Sequence, residues 1–227
     1  MDILEKIVEH IEKGNPYDLI FKGGTALSMI YLNHHRESED LDFDVDIKYL
    51  QDYNGIQHYF IGIFNKLKDQ GYIEDYKLGK TGLATTNRFH MKVQFSMYKR
   101  FQTKIDLDFV QPSGKLNHQG ELLIYSLERL FISKIIAFTE RQDFKDFIDI
   151  SYMLPKIDLS IYENKNELAI ILQKLVDSIE EKSLVKRFNS ILQNVDLKIR
   201  DFRRSDLTNL VSKTLRGLRA AINILRR

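Results

Sequence analysis

Cysteine is absent from this chain of 227 residues, which excludes disulfides and thiolate metal sites. Prolines number only three, and no stretch is apolar enough to cross a bilayer. The opening Met1-Asp2-Ile3-Leu4-Glu5-Lys6 lacks the basic region and apolar core of a secretion signal, so a cytoplasmic protein without a membrane span is expected. There is no repeat and no low-complexity tract. A Gly-x-Ser-x-Gly elbow is missing too, and Gly79-Lys80-Thr81 lacks the upstream glycine of a Walker-type loop, so it is expected to be a hairpin turn. The six histidines show no metal-ligand spacing and are expected at the surface.

With 43% hydrophobic and 29% charged residues, the composition is that of an ordinary folded protein, large enough for one domain or two smaller ones with real cores. The net charge of +2 is unevenly spread. From Asp201 onward seven basic residues (Arg203, Arg204, Lys213, Arg216, Arg219, Arg226 and Arg227) face two aspartates, giving +5 there and −3 elsewhere. Such a tail suits an anionic partner, with a solvated helical face as the plainer alternative.

Ile3, Leu4, Ile7, Val8 and Ile11 recur at helical spacing until Gly14-Asn15-Pro16 stops them. A short strand over 18–22, a glycine turn and a helix over 25–32 follow. Ile56, Phe60, Ile63, Phe64 and Leu67 mark another helix, closed by Gly71. Phe89 to Met97 and Ile105 to Phe109 alternate, predicting an antiparallel strand pair turned at 98–102, with 79–88 as a polar mobile loop. Beyond Pro112-Ser113-Gly114 only helical periodicity is legible. The expected fold is therefore α+β: a small mixed or antiparallel sheet flanked by helices over 1–118, then a helical portion over 119–227.

The chemistry lies in three segments: Lys22-Gly23-Gly24-Thr25, Asp40-Leu41-Asp42-Phe43-Asp44-Val45-Asp46, and Lys104-Ile105-Asp106-Leu107-Asp108. In a strand, side chains alternate between faces, so Leu41, Phe43 and Val45 line a core while the aspartates share the other face. Like charges so placed repel unless a hard divalent cation sits among them. Asp40 and Asp42 are the expected Mg²⁺ ligands, Asp106 rather than Asp108 is preferred as the third carboxylate, and acidic residues guarding an edge strand are the plainer alternative. A Gly-Gly-Thr turn feeding a helix offers close-approaching amides for a phosphate, or is simply a turn that needs positive φ. Together these features indicate phosphoryl or nucleotidyl transfer.

These residues also resemble a known family. Lys22-Gly23-Gly24-Thr25-Ala26-Leu27 followed by Arg36-Glu37-Ser38-Glu39-Asp40-Leu41-Asp42-Phe43 strongly resembles the abortive-infection AbiEii-type toxins of the polymerase-β-like nucleotidyltransferase superfamily. Its later motifs, a lysine, an arginine and a basic-Asp-x-x-Asp segment, resemble Lys134, Arg141 and Lys145-Asp146-Phe147-Ile148-Asp149, so the likeness spans about residues 18 to 155. It implies a nucleoside triphosphate site drawn from Lys22, Gly23, Gly24, Thr25, Ser38, Lys134, Arg141, Lys145, Asp146 and Asp149. Lys134 and Arg141 would meet phosphates, and Asp146 and Asp149 the ribose, the base or local order. It also implies a toxin acting on RNA such as tRNA and restrained by an antitoxin. Transfer to a protein or small molecule, or nucleotide binding without turnover, are the alternatives. The acidic strand is longer than the family pattern requires, so the roles of Asp44 and Asp46 stay open.

On spacing alone, Lys134 falls on an apolar stripe and needs an anionic partner. Arg141, Lys145 and Asp149 follow at four-residue steps, which would place them on one helix face with a Lys145–Asp149 salt bridge.

Overall fold

A computed structural model describes residues 2–97, 100–194 and 198–226, and the chain divides into two units. The first comprises residues 1–30 and 38–126; the second comprises 31–37 and 127–227.

The first unit is built on a seven-stranded mixed sheet. Its strands are β1 (Ile20–Lys22), β2 (Leu41–Asp46), β3 (Asp75–Thr85), β4 (Arg88–Ser96), β5 (Phe101–Val110), β6 (Leu116–Gln119) and β7 (Leu122–Tyr125), in the spatial order β3-β4-β5-β2-β1-β7-β6. β2 runs antiparallel to β1 and parallel to β5; β4 pairs antiparallel with both β3 and β5. One sheet face is apolar because alternation sends Leu41, Phe43 and Val45 of β2, Ile105, Leu107 and Phe109 of β5, and Phe89, Met91, Val93 and Phe95 of β4 inward, all essentially buried. Helix α3 (Tyr53–Asp69) supplies Phe60 and Phe64 against that face, with Phe43–Phe60 and Phe64–Phe95 ring centroids 6.0 and 5.3 Å apart. Helix α1 (Ile3–Glu12) is capped by the Asp2 carboxylate, which accepts from the Leu4 amide, and it buries the five apolar residues its periodicity marks.

Several local expectations change. The segment after the glycine turn is a four-residue helix, α2 (Gly23–Ala26), continued by a π-helical turn over Leu27–Tyr31; Leu27 is buried, but Ile30 and Tyr31 are half-exposed. Residues 79–88 are not a loop, because most of them belong to the β3–β4 hairpin. Gly79-Lys80-Thr81 lies inside β3, where the pairing register slips between Leu78 and Thr81. β3 is an edge strand exposed along much of its length, so it lacks the apolar alternation that would have revealed it. Strand structure also persists past Pro112: β7 lies parallel to β1, and β6, mostly polar, closes the sheet. Of the turn expected over 98–102, Phe101 and Gln102 belong to β5, and Tyr98 and Lys99 lie outside the described residues.

The second unit is helical: α4 (Leu127–Arg141), α5 (Phe144–Met153), α6 (Lys165–Asp177), α7 (Glu181–Asn194) and α8 (Leu207–Leu225). Phe138, Phe144, Phe147 and Phe188 form its aromatic centre, with Phe144–Phe188 centroids 4.7 Å apart. Arg227 of the basic tail lies outside the described residues.

Phe43 is fully buried and stacks on Phe21 at 5.1 Å. Phe43→Ala should cost about 3–5 kcal/mol of stability, read as a lower urea midpoint; a loss below about 1 kcal/mol would contradict this placement of the core.

Candidate active site

β1 ends at Lys22, and the next residue, Gly23, has φ of 77°, a conformation that Cβ sterics deny most residues. A Cβ at Gly23 would also strike Asp42, with its Cγ at 2.9 Å. Glycine is thus required both by the turn and by the approach of backbone to carboxylate. Thr25, buried just beyond, lies with its Oγ1 2.8 Å from Ser38 Oγ and donates to the Asp40 carbonyl oxygen. That contact ties the glycine turn to the entry of β2. Lys22, Gly23, Gly24, Thr25, Ser38, Asp40, Asp42 and Asp106 therefore all lie in the first unit.

The acidic face is arranged by register. Asp42 lies opposite Asp106, Asp44 opposite Asp108, and Lys22 opposite Asp42. Neighbouring strands stand about 4.8 Å apart, so these charges interact strongly. The Asp44–Asp108 pair is neutralised. Lys22 donates to Asp44 and, at 2.7 Å, to Asp108; Arg88 grips Asp108 through Nε at 2.5 Å and Nη2 at 2.8 Å; and the Tyr125 hydroxyl donates to Asp44 at 2.7 Å. Burial pushes the Asp108 carboxyl up, but the bonds from Arg88 and Lys22 outweigh it and hold the group below the usual carboxylate range. Asp46 caps the following 3₁₀ turn by accepting from the Lys48 amide. Asp44 and Asp46 thus have structural roles, and Lys22 is held by carboxylates.

Asp42 is the opposite case. Burial first, then the facing Asp106, raises its carboxyl above the usual range, and Lys22 only partly offsets this. Asp106 has Lys104 at 2.8 Å, and Asp40 has the same ammonium at 3.9 Å. Among the described residues no three His, Asp or Glu side chains form a ready-made cage. Mg²⁺ nevertheless suits the donor set: it binds through one or two carboxylates together with substrate phosphates and water, and the strained Asp42–Asp106 pair supplies hard oxygens whose repulsion a cation relieves.

The second unit holds the remaining candidates. Asp146 and Asp149 are fully buried on α5. Lys134 of α4 reaches Asp146 at 2.9 Å and Asp149 at 2.8 Å, and Arg141 Nε reaches Asp146 at 2.6 Å. Two residues that the spacing did not reveal complete the network. Arg36 binds Asp149 with Nε at 2.7 Å and Nη2 at 2.8 Å, and His35 Nε2 lies 2.8 Å from Asp149 Oδ1. Burial would lower the Lys134 ammonium, but Asp149 and Asp146 outweigh that and raise it. Burial likewise opposes ionisation of Asp149, yet Lys134, His35 and Arg36 hold it well below the usual range.

The single helix face expected for Arg141, Lys145 and Asp149 does not form. Gln142, at φ 50°, breaks the chain between α4 and α5, and Asp149 pairs with Lys134, Arg36 and His35 while Lys145 is exposed. His35 is not a surface histidine either: it is fully buried, its ring pushed below the ordinary value first by burial, and its Nδ1 has no hydrogen-bond partner among the described residues. Periodicity alone did not single out Arg88 or His90. The polar positions of β4 oppose those of β5, His90 to Asp106 and Arg88 to Asp108, so attention to the polar half of the alternation would have found them.

The chain belongs to the family described as nucleotidyl transferase AbiEii toxin, type IV toxin–antitoxin system, whose model matches residues 7–220. It is accordingly a nucleotidyltransferase of a toxin family, and that membership implies a nucleoside triphosphate substrate and an antitoxin. No curated protein matches the chain. Among solved structures, JHP933 from Helicobacter pylori is similar at 18% identity and a TM-score of 0.71, over 99% of this chain and 90% of that one. A second Helicobacter pylori structure shares 19% identity at a TM-score of 0.72, over 99% and 93%. The nucleotidyltransferase toxin MenT4 from Mycobacterium tuberculosis shares 14% identity at 0.55, over 96% and 82%. At these identities the likeness is one of fold. Among the described residues no helix is long and apolar enough to cross a membrane.

Two outcomes follow from this geometry. Gly23→Ala should fold with a loss of about 1–3 kcal/mol yet bind a fluorescent triphosphate at least about tenfold more weakly; unchanged binding would show that the turn does not form the nucleotide site. Asp149→Asn strands buried Arg36 and Lys134 charges and should cost about 3–5 kcal/mol near neutral pH. Because the folded carboxyl lies below its unfolded value, its contribution is complete above about pH 4 and fades as the pH falls further. The gap between wild type and Asp149→Asn in thermal melts should therefore narrow in acid; a gap that widens would reverse the assignment.

Proposed function

We propose that the chain transfers a nucleotide from a Mg²⁺-bound nucleoside triphosphate onto RNA, such as a tRNA, and that an antitoxin restrains it. The observation that carries this reading is Asp42 facing Asp106 across adjacent strands with its carboxylate against the Gly23 backbone. In the reaction, an acceptor hydroxyl oxygen bonds to the α-phosphorus, the bond from that phosphorus to the bridging oxygen breaks, and pyrophosphate departs with the electron pair. Asp40, Asp42 and Asp106 would hold the cation, which when bound supplies neutralising charge to the polyphosphate. The Gly23-Gly24 turn would offer its backbone amides to a phosphate beside the Asp42 carboxylate that fills the space at Gly23. Thr25 and Ser38 fix the turn against Asp40, and Asp106 would complete the carboxylate set or accept the proton of the attacking hydroxyl.

Lys134 and Arg141 enter this reading as phosphate ligands, and Lys145 as a further nucleotide-binding residue, because they match the family motif. Asp146 and Asp149, which pair with Lys134 and Arg141, order those cations. The basic residues of the C-terminal helix add positive potential for a polyanionic acceptor. A cytoplasmic site of action fits a substrate of this kind.

Incubating the protein with each α-labelled triphosphate and total RNA tests the reading. Label should enter RNA, and Asp42→Ala should reduce incorporation at least about 100-fold and abolish growth arrest. Label entering protein alone would redirect the acceptor assignment, and toxicity surviving Asp42→Ala would overturn the catalytic one.

A further inference from the structure

Beyond Asp40 the polar face of the sheet continues across β5, β4 and β3 into a groove of about 480 Å³, most of whose lining has no part in the transfer chemistry. Lys77, Lys92, Lys104, Gln94 and Gln102 line it, together with Gly79 and the acidic residues Glu39 and Asp40. Register sets Lys92 directly opposite Lys104, and Lys77 opposite Gln94. Like charges directly opposite one another destabilise a strand pair. Lys104 is relieved by Asp106 and Asp40, but Lys77 and Lys92 are exposed and have no carboxylate partner among the described residues.

The floor beside Lys92 is Gly79, where a Cβ would lie 3.2 Å from Lys92 Cβ; the register slip in β3 falls at this point. The Gln102 amide donates to the Gln94 carbonyl at 3.2 Å, which leaves an N–H on Gln94 and a carbonyl oxygen on Gln102 for a ligand. Among the described residues no aromatic ring lines the groove. Three lysines on three successive strands, with neutral amides between them, outnumber the two acidic residues Glu39 and Asp40 in the lining, which matches a chain of repeated phosphates joined by hydroxyl-bearing sugars.

We propose that this groove holds the sugar–phosphate backbone of the acceptor RNA next to its reacting end. The proposal rests on the RNA-acceptor reading above and locates that acceptor on the catalytic sheet itself: Lys77 and Lys92 contact phosphates, and Gln94 and Gln102 contact the intervening riboses.

The test compares wild type with the double variant Lys77→Gln/Lys92→Gln. Anisotropy of a fluorescein-labelled, single-stranded RNA of mixed sequence is followed across a salt series, and binding of a fluorescent ATP analogue in parallel. Loss of two phosphate contacts should make the slope of log affinity against log salt shallower by about 1.4 and weaken RNA binding about tenfold, while nucleotide affinity and melting temperature stay as in wild type. Lys77→Arg/Lys92→Arg should restore RNA binding. An unchanged slope and affinity in the glutamine variant would overturn the groove assignment. So would wild-type protein that binds the nucleotide but not the RNA, or a polyglutamate peptide that binds as tightly as the RNA with the same sensitivity to the variant. In each of these cases label transfer that depends on Asp42 would still stand, so failure of the groove is separable from failure of the catalytic reading.

Discussion

Selective neutralisation of a ladder of carboxylates organises the first unit. Four aspartates face one another in two rungs between β2 and β5, and a sheet cannot carry such charge uncompensated. The outer rung, Asp44 with Asp108, is closed by Lys22, Arg88 and Tyr125. The inner rung, Asp42 with Asp106, has only Lys104 in direct contact among the described residues and retains its strain. The same strand pairing therefore supplies a structural half, which is stable as it stands, and a reactive half, whose electrostatics improve when a cation and a polyphosphate arrive. Gly23 sharpens the difference, because its missing side chain makes room for the Asp42 carboxylate alone.

The second unit uses the same physics for a different end. Asp146 and Asp149 are buried without access to water, so each must be matched by cations in close contact. Lys134, Arg141 and Arg36 match them, and His35 contributes a neutral ring whose second nitrogen has no partner among the described residues. A network of this sort orients its members rigidly, because removing any one leaves a charge stranded. Motif residues that read as ligands in the sequence are thus also the residues that hold α4 against α5.

Much of this was legible in advance because periodicity is a local property. The apolar alternation of β4 and β5, the stripes of α1 and α3 and the glycine turn each follow from residues a few positions apart, and the acid-x-acid strand announced a shared polar face. β3, β6 and β7 were not legible: they are short or polar and belong to a sheet through their partners, not through their own pattern. The break at Gln142 was missed for a related reason, since spacing counts residues and cannot see one left-handed backbone conformation. His35 and Arg36 lie between the segments that periodicity marks, and only their long-range contact with Asp149 reveals what they do.

The amino-acid sequence by itself determined which side chains could share a face, where a strand had to turn on glycine, and that several carboxylates would need cations. Tertiary structure decided which carboxylates received protein cations and which did not. That choice depends on the parallel register of β2 with β5, on the antiparallel placement of Arg88 and on the reach of Lys22 across β2. Coulomb energies vary with distances of a few ångströms between residues far apart in the chain, and those distances exist only once the sheet has formed.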